Sequence, residues 1–171
     1  VWIGTSVGVR RYADLRIPWN SATSELKVEK LRTWREDRWW PHAENISETA
    51  VVHTLPYAVN RADDYTTMRE TMLLHDGVEL GCIMETAYTI TEQNVPGAGG
   101  LFVFAQDDPA VRTHLKISGP VVKSEELNGV VAGQSDGNQQ TSWTASLTKA
   151  RRQPATDSPQ SIEPTVAWSL W

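Results

Sequence analysis

The sequence holds a single cysteine, Cys82, which excludes an intramolecular disulfide and leaves no thiolate cluster for a structural metal. A reducing compartment is the expectation that follows. No apolar run approaches the roughly eighteen residues that a membrane span needs, and the opening VWIGTSVGVRRYADLR lacks the basic-then-apolar order of a signal peptide. The expected location is therefore cytoplasmic, with no membrane partner. Positive charge is also scarce: the net charge is -5 and the pI about 5.4. Duplex nucleic acid rewards a basic surface, so a nucleic-acid partner is not expected. Phenylalanine occurs only twice, against eight tryptophans.

What is present suits an ordinary globular chain. Its 171 residues are 40% hydrophobic and 22% charged, enough for one domain with appendages. Residues 1–49 contain five of the eight Trp and half of the Lys and Arg. Within them, 24–40 begin among Ser21, Thr23 and Ser24, run through helix formers, and stop at Pro41. Val28, Leu31, Trp34 and Trp39 supply a partial apolar stripe, which predicts a helix, either packed on the outside of the main domain or serving as an N-terminal lid whose Trp side chains close a pocket mouth. From about residue 50 the apolar period becomes two, and Asp76-Gly77, Asn128-Gly129 and Asp136-Gly137 mark hairpins. Candidate strands at 50–55, 66–75, 78–91, 100–106, 112–122, 127–133 and 141–150 predict an all-β domain over 50–152, a barrel or a sandwich. Residues 153–171 read as a flexible tail with an apolar end able to dock.

Alternation assigns faces to these strands. In 78–91 the expected inward set is Val78, Leu80, Cys82, Met84, Thr86, Tyr88 and Ile90, and in 141–149 it is Trp143, Ala145 and Leu147. In 66–75 Met68, Glu70, Met72 and Leu74 share one face. A carboxylate there must find a donor or become protonated, either as a structural pair or as a group orienting a ligand. The three Met suit core filling or an adaptable apolar pocket. Strand 100–106 is apolar on both faces, with Phe102 and Phe104 alternating with Leu101, Val103 and Ala105, so something is expected to cover it.

The usual catalytic patterns are missing. His42, His53, His75 and His114 lack metal-ligand spacing, so no metal site is expected. No G-x-S-x-G elbow, phosphate loop or dinucleotide fingerprint occurs.

Met72-Leu73-Leu74-His75-Asp76-Gly77-Val78-Glu79-Leu80-Gly81 resembles the strand, Asp-Gly turn and Gly-bounded strand of the allene-oxide-cyclase and dirigent-type barrels. Gly99-Gly100-Leu101-Phe102-Val103-Phe104-Ala105-Gln106-Asp107-Asp108, with Thr141-Ser142-Trp143-Thr144-Ala145, is similar to the bacterial spirotetronate and spirotetramate cyclases of that superfamily. The likeness covers residues 66–150. It implies an antiparallel eight-stranded barrel, often a homodimer, that performs an intramolecular Diels–Alder cyclisation of a linear polyketide without cofactor. The partner implied is a hydrophobic small-molecule substrate. Trp143 would line the barrel, and the Tyr pair of some relatives falls on Phe104 and Ala105. The donor to the dienophile is then left among Tyr88, protonated Glu70, Gln106 and the Trp143 indole. Met68, Met72, Met84, Phe104, Gln106 and the lid residue Trp34 complete the expected substrate contacts. A shaped apolar cavity suffices for such chemistry, because orienting two groups on one chain removes much of the entropic barrier. Two other readings share the same composition: a lipocalin-like small-molecule carrier, and a β-sandwich assembly or capsid subunit.

Overall fold

A computed structural model describes residues 1–40, 46–56, 66–93, 99–105, 108–119, 123–128, 133–135, 140–148 and 163–169. The chain divides into two compact units, Val1–Asn94 and Val95–Trp171. Both are built almost wholly from strands, so the all-β expectation holds. Among the described residues the strands form four three-stranded sheets and no closed barrel. No helix among them is long and apolar enough to cross a membrane.

The first unit opens with α1 (Ser6–Tyr12), which Thr5 caps by accepting the Gly8 N–H at 3.1 Å; Arg10 and Arg11 sit in the last turn, where the helix dipole favours cations. One sheet has the order β1 (Asp14–Asn20), β5 (Met68–Leu74), β4 (Val51–Thr54), and a 3-10 turn at Glu48–Ala50 leads into β4. The other has the order β3 (Arg38–Trp40), β2 (Ser24–Arg35), β6 (Ile83–Glu92), all antiparallel. Ile17 of β1, Leu31 of β2 and Leu73 of β5 make one core shared by the two sheets. Each such side chain contributes about 1.5–3 kcal/mol on burial.

Residues 24–40 are a β-hairpin and not the expected helix. The reason is a register shift between Val28 and Lys30. One inserted residue makes the inward positions Leu26, Val28, Leu31 and Thr33, so the gap of three between Val28 and Leu31 imitates helical spacing. Glu36 and Asp37, at φ 52° and 57°, close the hairpin as a two-residue turn. The hairpin is an integral part of this unit's sheet. Trp34 faces its cross-strand partner Trp39 edge-on at 5.3 Å, while the Arg32 and Arg38 guanidinium groups lie 4.1 Å from the Trp39 and Trp40 ring centres.

The inward face of β5 is also the reverse of the one expected. Thr71 and Leu73 are fully buried, whereas Met68 is 40% exposed and Leu74 is exposed. The Thr71 hydroxyl accepts the Trp19 indole N–H at 2.9 Å and bonds His53 Nδ1 at 2.9 Å, so burying it leaves no polar group stranded. Glu70 stays on the outer face, where it takes the Arg16 guanidinium at 2.9 Å.

The second unit has one sheet in the order β10 (Gln134–Ser135), β11 (Gln140–Thr148), β8 (Ala110–Ser118) and another in the order β7 (Gly99–Val103), β12 (Thr165–Ser169), β9 (Lys123–Leu127). The sheets share a core of Phe104, Ile117, Trp143 and Val166. Residues 165–169, which include most of the apolar end expected to dock, do so as the central strand of the second sheet, because Val166 supplies core on one face while the backbone pairs on both edges. β12 also pairs along the edge of β7, whose Leu101 remains exposed.

Candidate functional site

The residues singled out by the sequence are dispersed. Trp143 lies at the centre of the second unit's core. Its indole N–H donates to Glu126 Oε1 at 2.8 Å, linking β11 to β9 of the facing sheet, and the Gly133 N–H reaches the same oxygen at 3.3 Å. The Trp143 hydrogen bond holds the Glu126 carboxyl below its usual range; partial burial opposes this and the Gly133 amide reinforces it. A Cβ on Gly133 would stand 2.6 Å from the indole, so the ring is closely packed there. Phe104 is buried beside Trp143 and meets Phe102 edge-on at 5.1 Å. In the first unit, Glu70 and Met72 are half-buried and Met68 is exposed, all on the outer face of β5, while Trp34 belongs to the β2–β3 aromatic pair. Gln106 lies outside the described residues.

Besides Trp143 and Phe104, which share a core, two of the expected residues meet at a cleft. Met84 and Tyr88 line a cleft of about 350 Å³ with Val1, Tyr12, Leu15, Glu85 and Thr86. Three local features build it. Residues 1–3 run along the outer edge of β6: Val1 N donates to Met84 O and Met84 N to Val1 O, each at 2.7 Å, and Trp2 pairs with Ile83. Ile3, Cys82 and Met84 then form a small core, with Tyr12 of α1 packed against it. Beyond Met84 the inward face of β6 is no longer covered, so Tyr88 is 46% exposed although alternation places it inside. An edge strand explains the difference: the pleat points these side chains inward, but the sheet ends there.

A polar support stands behind this face. Thr86 Oγ1 lies 2.7 Å from His75 Nε2, and Thr33 Oγ1 lies 3.5 Å from His75 Nδ1. Burial, followed by the N-terminal ammonium, pushes the imidazole down to about 4 from 6.5, against the opposing effect of a hydrogen bond to the Arg32 backbone. His75 is therefore neutral near pH 7. It also borders a second cleft of about 350 Å³ with Leu31, Ile46, Thr49, Ala50 and Asp76. On the other face of β6, Glu85 is held ionised chiefly by Arg32, with Lys30 at 3.2 Å. Among the described residues no three of His, Cys, Asp and Glu converge on a metal-sized site.

Sequence reasoning did not single out the His75–Thr86 pair or Glu126. The signal for His75 was its position after the apolar Leu73-Leu74 and before the Asp76-Gly77 turn, a place where an imidazole is carried into the sheet margin. Glu126 had no signal, since its donor comes from a strand of another sheet.

Residues 1–152 match the model of a family described as a domain of unknown function with a solved structure, DUF3857. No curated protein matches the chain. The fold is similar to a crystal structure from Parabacteroides distasonis described as a "putative protease", with a TM-score of 0.80 and 19% identity over 98% of this chain. The chain spans 35% of that protein's length, about a third.

Proposed function

The chain belongs to the DUF3857 family, and on that premise we propose that it is a recognition module that binds an extended apolar polypeptide segment in the cleft beside β6. The observation that carries this reading is the cleft itself: an apolar floor of Met84 and Leu15, aromatic flanks of Tyr12 and Tyr88, and two polar residues, Glu85 and Thr86, the latter supported from behind by His75. Few well-placed polar groups in an apolar concavity are the usual makings of a binding site. The fold neighbour favours polypeptide as the ligand class to test first, because its name refers to peptide chemistry and most of that chain lies outside the shared fold.

The test is titration of the full chain with a fluorescein-labelled peptide of about eight residues, alternating valine and threonine between terminal lysines, followed by fluorescence anisotropy. Saturable binding weakened about fivefold or more by Tyr88→Ala is expected, an aromatic contact of this kind being worth about 1 kcal/mol. Absence of binding by this and other extended apolar peptides overturns the reading.

A second reading is favoured by Met84 and Tyr88 sharing one cleft. It keeps the cyclase resemblance: the cleft takes the apolar chain of a linear polyketide, and the Tyr88 hydroxyl donates to the dienophile carbonyl. An isomer of identical mass after incubation with a linear polyene tetronate, lost in Tyr88→Phe, would favour it over peptide recognition.

A further inference from the structure

We infer that the outer face of the β10–β11–β8 sheet binds an extended acidic peptide segment whose carboxylates recur at every second residue, in register with Arg112, His114 and Lys116. This surface belongs to the second unit and does not depend on what the cleft beside β6 binds. The strand register places the three side chains. Arg112, His114 and Lys116 of β8 stand opposite Ser146, Thr144 and Ser142 of β11, and residues facing each other across an antiparallel pair share a side of the sheet. Leu115, Ile117, Trp143 and Ala145 take the core side, so the cations and hydroxyls take the other. Arg112, His114 and Lys116 are all exposed.

The charge on this face is uncompensated. In the first unit Arg16, Lys30 and Arg32 each meet a carboxylate. Among the described residues the Arg112 and Lys116 side chains make no ion pair or hydrogen bond, and the face they share carries no Asp or Glu. His114 Nδ1 lies 2.8 Å from Thr144 Oγ1, which leaves Nε2 as the ring nitrogen for a ligand. At one end His114, Lys116 and Ser142 border a hollow of about 170 Å³ with Gln134 and Gln140, so its described lining is wholly polar and lacks an acid. The ammonium calls for an anion, while the two amide carbonyls, which only accept, call for donors beside it. Polyphosphate offers no such donors; a peptide offers carboxylates and N–H groups together. Spacing completes the match, because alternate residues of a strand repeat at about 6.7 Å, the same period as the side chains on one face of an extended peptide. The chain as a whole has a net charge of -5, but repulsion from its more distant acids is screened beyond about 8 Å at physiological ionic strength, so direct contact with this stripe is what attracts an acidic segment.

The experiment titrates the full chain with a fluorescein-labelled peptide in which glutamate alternates with serine, about eight residues long so that it passes all three cations, read by fluorescence anisotropy at about 50 mM salt. Saturable binding is expected, weakened about fivefold or more by the double variant Arg112→Ala/Lys116→Ala. The charge-conserving double variant Arg112→Lys/Lys116→Arg is expected to bind within about twofold of the wild type. The Trp143 indole resonance, from the core of the same unit, checks the fold of each variant. A peptide of the same composition with its glutamates in one block is expected to bind about threefold or more weakly. Equal binding of the block and alternating peptides overturns the register. Binding that survives Arg112→Ala/Lys116→Ala, or no binding at all, overturns this face as the site, and tighter binding of an oligouronate than of the peptide overturns the peptide as its ligand.

Discussion

The buried imidazole of His75 makes the first unit sensitive to acid in a window that carboxylates do not share. Its folded value of about 4 lies roughly 2.5 units below 6.5, so between those values the unfolded chain binds the proton that the folded chain refuses. The stabilisation is fully present above pH 6.5, declines as pH falls, and is exhausted below about pH 4. At about 1.4 kcal/mol per unit the full shift corresponds to about 3 kcal/mol. The ring borders a cleft that admits water, and screening reduces this to about 1–2 kcal/mol. Urea denaturation of the wild-type chain and of His75→Gln at pH 7.5 and pH 5, with the β2 and β6 amides followed by NMR, provides the measurement. The wild type is expected to lose about 1 kcal/mol over that interval and His75→Gln markedly less. Equal losses in both proteins, or an imidazole titrating directly by NMR near 6.5, would refute the argument.

Two further outcomes are expected from the buried polar contacts. Glu126→Ala strands the Trp143 indole N–H inside the second unit, which is expected to cost about 1–3 kcal/mol, while Glu126→Gln retains an acceptor and costs less; denaturant midpoints and the exchange rate of the indole proton test both. Thr71→Val conserves shape but removes the partner of Trp19 and His53, so a loss of about 1–3 kcal/mol is expected, and an unchanged melting temperature would show those groups to be solvated instead.

Much of the local structure was legible. The period of two, a turn at Asp76-Gly77 and the interior position of Trp143 follow from side-chain chemistry within a few residues, and the positive φ of Gly77 fits that turn; the hairpins expected at Asp76-Gly77 and Asn128-Gly129 did not form, because β5 and β6, like β9 and β10, belong to different sheets. The β2–β3 hairpin was not legible, because its bulge breaks alternation and its Glu36-Asp37 turn lacks glycine. The face of β5 was misread for a different reason. Met68, Met72 and Leu74 are the more apolar set, yet Thr71 is buried once Trp19 and His53 satisfy its hydroxyl. Of the expected site residues, Met84 and Tyr88 came together because they lie four apart, on the same face of one strand.

The sequence by itself determined that this protein is built of strands, where many of them turn, and that no disulfide within the chain ties them, since each depends on residues close in the chain or on a simple count. Tertiary structure decided how the strands are shared among four sheets, which face of β5 is buried, that Trp143 answers to Glu126, and that β6 ends a sheet beside a cleft. Those outcomes depend on which distant strand arrives opposite a given residue, and a pleat of period two is equally compatible with a covered face and an open one.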